Sequence, residues 1–216
     1  MANEFLMQIP SLQELQRYNV NRPDALEGLK QSLYDFQTYP AVGTTQLNFF
    51  QVPVGQSGKT LADTNMEVAG SLPTPKHFLV LNVQVFFFPA GDPSSVGAPS
   101  ASTFVNDTWA VAKAGWLDFF IGSKSYLTEA PIVRFPPRNG LIVSSSQADT
   151  TTAAANQHTR IAYANFGGAP YAMKPPILLV PTQNFRVSLN FPSAVAISSD
   201  ARVGVVLEGL LYRLSQ

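Results

Sequence analysis

Hydrophobic and polar positions change their spacing at Pro40. Before it, Ala25, Leu26, Leu29, Leu33 and Phe36 recur every three or four residues, the stripe of an amphipathic helix. Asn21-Arg22-Pro23-Asp24 opens this helix, with proline near its first position, and Tyr39-Pro40 ends it. A shorter helix is predicted from Pro10 to Tyr18, where Ser11 as N-cap and Glu14 three residues later make a capping box. Residues 1–39 therefore read as an N-terminal helical arm, packed on its own domain or docked on a neighbouring subunit. Arg17, Arg22 and Lys30 stand against Glu4, Glu14, Asp24, Glu27 and Asp35, so the arm is acidic, unlike a basic nucleic-acid-binding tail. The opening residues Met1 to Pro10 carry Glu4 and no basic residue, which is not the pattern of a secretory leader and predicts synthesis in a cytoplasm.

After Pro40 the alternation has the two-residue period of strands. Strands are predicted over Leu47–Val54, Phe78–Phe88, Thr108–Ala112, Trp116–Ile121, Lys124–Thr128, Ile132–Phe135, Leu141–Ser144, Ile177–Val180, Phe185–Phe191 and Arg202–Leu214. Leu79, Leu81, Val83, Val85 and Phe87 point to one face of the longest strand, while the other mixes Asn82 and Gln84 with Phe86 and Phe88. Pro136-Pro137-Arg138-Asn139-Gly140 carries a hairpin signal. Arg202–Leu214 is apolar on both faces apart from Glu208 and Arg213, which predicts a central, covered strand. The long connections 55–77, 89–107 and 145–175 are rich in Gly, Ala, Ser, Thr and Pro, and loops of this length are often functional. The fold expected is all-β: a single jelly-roll β-sandwich or barrel with long loops, residues 40–216, preceded by the helical arm, residues 1–39.

Composition narrows the chemistry. Charged residues make up only 13% of the chain, with 14 basic and 14 acidic side chains and a net charge of zero. That balance argues against a coat that neutralises phosphate by itself and weakens the repulsion that keeps copies apart. The absence of cysteine excludes disulfides, thiolate zinc sites and a thiol nucleophile. His77 and His158 are the only histidines and cannot supply a three-histidine site. The most hydrophobic stretch, Val85 to Phe88, is cut off by Pro89 and is too short to span a bilayer as a helix.

Individual motifs point the same way. Gly55-Gln56-Ser57-Gly58-Lys59-Thr60 resembles the end of a phosphate-binding loop, but Pro53 stands where that motif needs its first glycine. A flexible turn with a solvated Lys59 is the expectation. Asp63, Thr64, Asn65 and Glu67 place oxygens at near-alternate positions without the glycine and terminal glutamate of a calcium loop. With Asp92 and Asp107 they read as solvated or loop-capping carboxylates. Ser123, Ser144 and Ser188 lack a nucleophile-elbow context, and a surface position is expected for each histidine. Asn106-Asp107-Thr108 matches a glycosylation acceptor by chance. Trp109, Trp116, Phe119, Phe120 and Tyr126 cluster in sequence, yet only Lys113 and Lys124 lie nearby, so core or interface packing is preferred over base stacking. No catalytic, cofactor-binding or metal-binding residue is assigned, and no enzyme is expected.

The run Leu47-Asn48-Phe49-Phe50 onward, with Thr60-Leu61-Ala62-Asp63-Thr64-Asn65-Met66-Glu67-Val68-Ala69-Gly70-Ser71-Leu72-Pro73 and Lys76-His77-Phe78-Leu79-Val80, resembles a segment of the virion structural proteins of small tailless bacteriophages. Val206-Leu207-Glu208-Gly209-Leu210-Leu211-Tyr212-Arg213 is similar in kind to their closing strand. The resemblance implies a capsid subunit located in the virion and assembled into an icosahedral shell. It further implies trimers of upright barrels, contacts with other virion proteins, and in some cases an internal membrane beneath the shell. The length of 216 residues suits one barrel rather than two. Apolar loop residues, among them Leu61, Met66, Val68, Val96, Phe104, Ile161, Tyr163, Phe166, Tyr171 and Met173, would be buried between copies. The second reading is a carbohydrate- or ligand-binding β-sandwich that uses the aromatics between Trp109 and Tyr126.

Overall fold

The computed structural model describes residues 26–89, 101–138, 142–148, 159–165 and 168–214, and its first element overturns the second helix of the arm. Leu26–Tyr39 is a strand, β1, paired antiparallel along its whole length with β10, Ala201–Leu214. The three- and four-residue spacing arises from two strand faces read as one stripe. Leu29, Leu33 and Tyr39 share the inward face with Asp35, while Tyr34 and Phe36 alternate outward. Burial and a continuous ladder override local helix preference here. The helix predicted from Pro10 to Tyr18 lies outside the described residues.

Eight further strands follow between these two: β2 (Gln46–Phe49), β3 (His77–Phe88), β4 (Trp116–Ile121), β5 (Lys124–Glu129), β6 (Ile142–Ala148), β7 (Thr159–Asn165), β8 (Tyr171–Leu179) and β9 (Phe185–Asn190). One helix, α1 (Ala101–Ala114), and a 3-10 turn at Ile132–Arg134 complete the described elements. The chain is thus mostly β, as expected. Thr108–Ala112 is corrected from strand to helix: Thr108 and Val111 are buried one turn apart. The 145–175 connection is corrected too, since it holds most of β6, all of β7 and the start of β8. The Asn139-Gly140 turn of the expected hairpin lies outside the described residues, but its predicted first strand, Ile132–Phe135, is a 3-10 turn at Ile132–Arg134, and β6 pairs with β7. Two adjacent prolines lack the donors a ladder needs, and Phe135 is anchored in the core. The segment then runs beside β3: Val85 N–H donates to Phe135 O at 2.9 Å and Arg138 N–H to Gln84 Oε1 at 2.7 Å.

Two four-stranded antiparallel sheets carry the domain, one ordered β1-β10-β3-β8 and the other β2-β9-β4-β5. Apart from the β6–β7 hairpin, the pairing is nested. The first strand pairs with the last, β2 with β9, β3 with β8 and β4 with β5. β10 is central, as its two apolar faces predicted. Val80, Val83, Val85, Val203, Val205 and Leu207 of the first sheet meet Leu117, Phe119, Val187 and Leu189 of the second in one core.

A bulge corrects the predicted face of β3. Leu81 is an extra residue where β10 steps directly from Glu208 to Gly209. Below it Phe78 and Val80 point into the core, whereas Leu79 and Leu81 join Tyr212, Leu178 and Leu210 in a separate apolar cluster. Simple alternation cannot anticipate an inserted residue.

Just beyond the bulge, around Asn82, Gln84 and Glu208, the outer face of the first sheet is polar. Arg138 donates to Glu208 at 2.8 Å, and Asn82 Nδ2 donates to the same carboxylate at 3.2 Å. The bond from Arg138 holds the Glu208 carboxyl below the usual range, against an opposing effect of burial. A carboxyl depressed in the folded state adds stability above its unfolded value, about 4.3, and loses it as pH falls through the folded value. Urea unfolding should therefore show wild-type stability falling more steeply than that of Glu208→Gln as pH drops below about 4. Equal slopes would refute this.

Candidate functional site

Residues 61–65 wrap the free edge of β1. Asp63 O accepts the Phe36 N–H at 2.7 Å. Asn65 acts as a short substitute strand: its Oδ1 accepts Tyr34 N–H at 3.0 Å and its Nδ2 donates to Ser32 O at 2.8 Å. Thr64 Oγ1 donates to Tyr34 O at 3.1 Å. The polar groups of residues 63–65 that suggested cation ligands are thus committed largely to β1 backbone and local turns.

The other sheet edges are blunted by different means. β8 contains Pro175 and Pro176. β2 has four residues, and Gln37 Nε2 donates to its Asn48 carbonyl at 3.2 Å. β5 is bulged at Tyr126, and its Ser125 hydroxyl donates to Leu127 O at 3.2 Å. These devices discourage edge-to-edge pairing, leaving the faces as the available contact surfaces.

The outer face of the β1-β10-β3 region holds an aromatic strip. Register places Phe36, Gly204 and Phe86 in one row and Thr38, Arg202 and Phe88 in the next. Phe36 lies 6.2 Å from Phe86 and from Phe88, and 6.3 Å from Tyr34, between ring centroids. Gly204 makes room for it, since a Cβ there would stand 2.1 Å from the Phe36 ring. Arg202 covers Phe36 at 4.7 Å, a favourable cation–π distance, and also donates to Ala62 O at 2.5 Å and Asp63 Oδ1 at 3.1 Å. Phe88 remains 39% exposed and Leu61, on the wrapping segment, 67%.

The outer face of the second sheet has opposite chemistry. Gln46, Asn190 and Trp116 form one row across β2, β9 and β4, and Asn48, Ser188 and Asp118 form the next. Arg186 and Phe120 follow, with the guanidinium 4.4 Å over the ring.

Several sequence expectations are revised. Lys59 is ion-paired with buried Asp35 rather than solvated. His77 is buried, with Nδ1 3.1 Å from Pro75 O, rather than on the surface. Ser188 is buried and donates to Asn48 Oδ1 at 2.7 Å. Three carboxylates keep the solvated, loop-capping role expected of them: Asp63 accepts from Thr60 and Arg202, Glu67 pairs with Lys76 at the surface, and Asp107 accepts from Ser198. Ser123 lies in the exposed β4–β5 turn. Asp92, His158, Val96 and Phe166 fall outside the described residues. The clustered aromatics separate: Phe119 is core, Trp109 and Tyr126 are exposed, and Trp116 and Phe120 share the second sheet's outer face. Of the apolar loop residues, Met66 and Met173 are core while Leu61 and Val68 are exposed.

Tyr34, Phe36 and Arg202 escaped the sequence reading as a group because 166 positions separate Phe36 from Arg202 and only the β1–β10 ladder joins them. The signal available was the aromatic pair Phe86 and Phe88 on the polar face of β3.

Among the described residues no three His, Cys, Asp or Glu side chains stand together as a metal cluster, and no helix is long and apolar enough to cross a membrane. A cleft of about 170 Å³, lined by Gln31, Asn65, Glu67, Lys76 and Arg213, is smaller than the several hundred Å³ usual for small-molecule sites. Comparison with known proteins adds no identity: no family model matches the chain, and neither a curated protein nor a solved structure matches it.

Proposed function

We propose that the chain is a capsid subunit: a single jelly-roll domain that self-associates, as trimers, into a closed icosahedral shell of a virion. The observation that carries this reading is the nested strand pairing, first with last through β4 with β5. A ribbon of eight strands folded back on itself and rolled into two sheets gives this order, and such jelly rolls recur in viral capsids and lectins. The aromatic strip supports self-association, because aromatic residues and arginine are enriched in interface cores. The blunted edges support association by faces. Synthesis in a host cytoplasm, other virion proteins as neighbours and an internal membrane belong to the same proposal, as does the absence of catalysis.

Light scattering on purified protein, followed by negative-stain microscopy, tests it. Wild-type protein should form oligomers and closed particles. Phe88→Asp should remain folded by circular dichroism but lose particles, because a carboxylate buried without a partner opposes the contact. A wild-type protein that stays monomeric at high concentration across salt conditions would remove the assembly reading.

A further inference from the structure

We propose that the outer face of the β2-β9-β4-β5 sheet binds a neutral carbohydrate chain, with Trp116 as stacking ring, Gln46, Asn48 and Asp118 as hydroxyl-recognising groups, and buried Asn190 as the residue that positions Gln46 and Asp118. The inference stands apart from the assembly reading, since it rests on a different sheet face and on different chemistry.

The polar groups of this face orient one another. Trp116 Nε1 donates to Asp118 Oδ2 at 3.0 Å, and Asn190 Nδ2 donates to the same oxygen at 2.8 Å. Gln46 Nε2 donates to Asn190 Oδ1 at 2.9 Å. Both N–H donors converge on Asp118 Oδ2, so Asp118 fixes which end of the Asn190 amide turns toward it, and Asn190 then fixes Gln46. In the adjacent row Ser188 Oγ donates to Asn48 Oδ1 at 2.7 Å, which directs the Asn48 amide N–H groups elsewhere. Asp118 Oδ1, Gln46 Oε1 and the Asn48 N–H groups take no part in these bonds.

That set matches a sugar better than other partners. Hydroxyl groups both donate and accept, and planar amides beside a carboxylate offer both functions in fixed directions. A pyranose also presents a C–H face suited to an indole. Trp116 is half-buried and its N–H is held by Asp118, so its ring is positioned before a ligand arrives, which reduces the ordering cost of binding. The positions facing outward in the two rows, Gln46, Asn48, Asp118, Ser188 and Asn190, include no aliphatic side chain and no cation, which disfavours an apolar protein partner and a polyanion. Three strands about 4.8 Å apart give the ladder a width of about 10 Å, enough for an extended oligosaccharide lying across the sheet.

The chain has two tryptophans, so Trp109→Phe leaves Trp116 as the sole indole reporter. Full-length Trp109→Phe protein is titrated with soluble oligomers of glucose, mannose, galactose and N-acetylglucosamine while tryptophan emission is followed. At least one should give a saturable blue shift with half-saturation near about 1 mM, typical of a weak, solvent-facing site. Gln46→Ala, on an exposed edge strand where the fold tolerates it, and Asp118→Asn should each weaken that response about tenfold. No shift with any of the four at about 20 mM, or a shift of undiminished affinity in both variants, would overturn the proposal. Particle formation in the same preparations reports separately on assembly.

Discussion

Asp35→Ala should cost the domain about 3–5 kcal/mol, the range for breaking one half of a buried ion pair. Asp35 is 1% exposed and ties three segments together. Its Oδ2 accepts the Phe50 N–H at 2.6 Å, at a residue whose φ of 67° lies in the left-handed region. Its Oδ1 pairs with Lys59, closing the 53–60 loop against β1. Alanine leaves the ammonium and the amide without their acceptor. The double variant Asp35→Ala/Lys59→Met should recover part of the loss, because an apolar replacement no longer buries an unmatched charge. Burial raises the Asp35 carboxyl above its ordinary value, outweighing the lowering effects of Lys59 and Phe50. Between the unfolded value, about 3.9, and the raised folded value, the native state binds the extra proton. The contribution of Asp35 to stability is therefore complete below that window and declines as pH rises through it. Lys59→Met should move the decline to higher pH. Urea midpoints across pH measure all three variants. A single variant as stable as wild type, or a double variant no better than the single, would contradict the latch.

Gly209→Ala is the second severe substitution, with an expected loss of about 3–5 kcal/mol. A Cβ at Gly209 would stand 1.9 Å from the Leu79 carbonyl oxygen. The obstacle is backbone in the middle of the first sheet, at the bulge where β3 switches faces, and it cannot swing aside. Gly204→Ala makes a useful contrast, since the atoms nearest its Cβ belong to the Phe36 side chain rather than to backbone. That ring lies on the outer face and can rotate away, so the cost should be about 1–2 kcal/mol. Thermal melting of the two variants should separate them clearly. Comparable melting temperatures would show that the bulge relaxes around an added methyl group.

Much of the β architecture was legible because burial imposes a two-residue period. β3, β4, β5, β9 and β10 stand close to where alternation put them. β1 was misread because Leu26, Leu29, Leu33 and Phe36 satisfy a helical stripe while its partner strand lies at the far end of the chain. The face switch at Leu81 depends on a register slip that no local pattern encodes. The same limit applies to function. Lys59 looked like a solvated loop lysine because Asp35, which neutralises it, was assigned to another element. Trp116 was visible as an aromatic, but Asn190 and Gln46, which complete its row, reach it only through β9 and β2.

Nested pairing also sets an order of events during synthesis. β4 and β5 are joined by a two-residue turn, Gly122 and Ser123, and can pair as soon as both have been made. β1 must wait for a partner made at the opposite end of the domain, since Leu26 aligns with Leu214. Pairings between sequence-distant strands are slow and leave apolar edges exposed meanwhile. β10 fills the gap between β1 and β3, so a nascent chain lacking its final strand holds two halves of a sheet with nothing between them. The aromatic strip, shared by β1, β10 and β3, comes into being only when that strand arrives. A growing chain thus cannot display this aromatic surface before its own fold is closed.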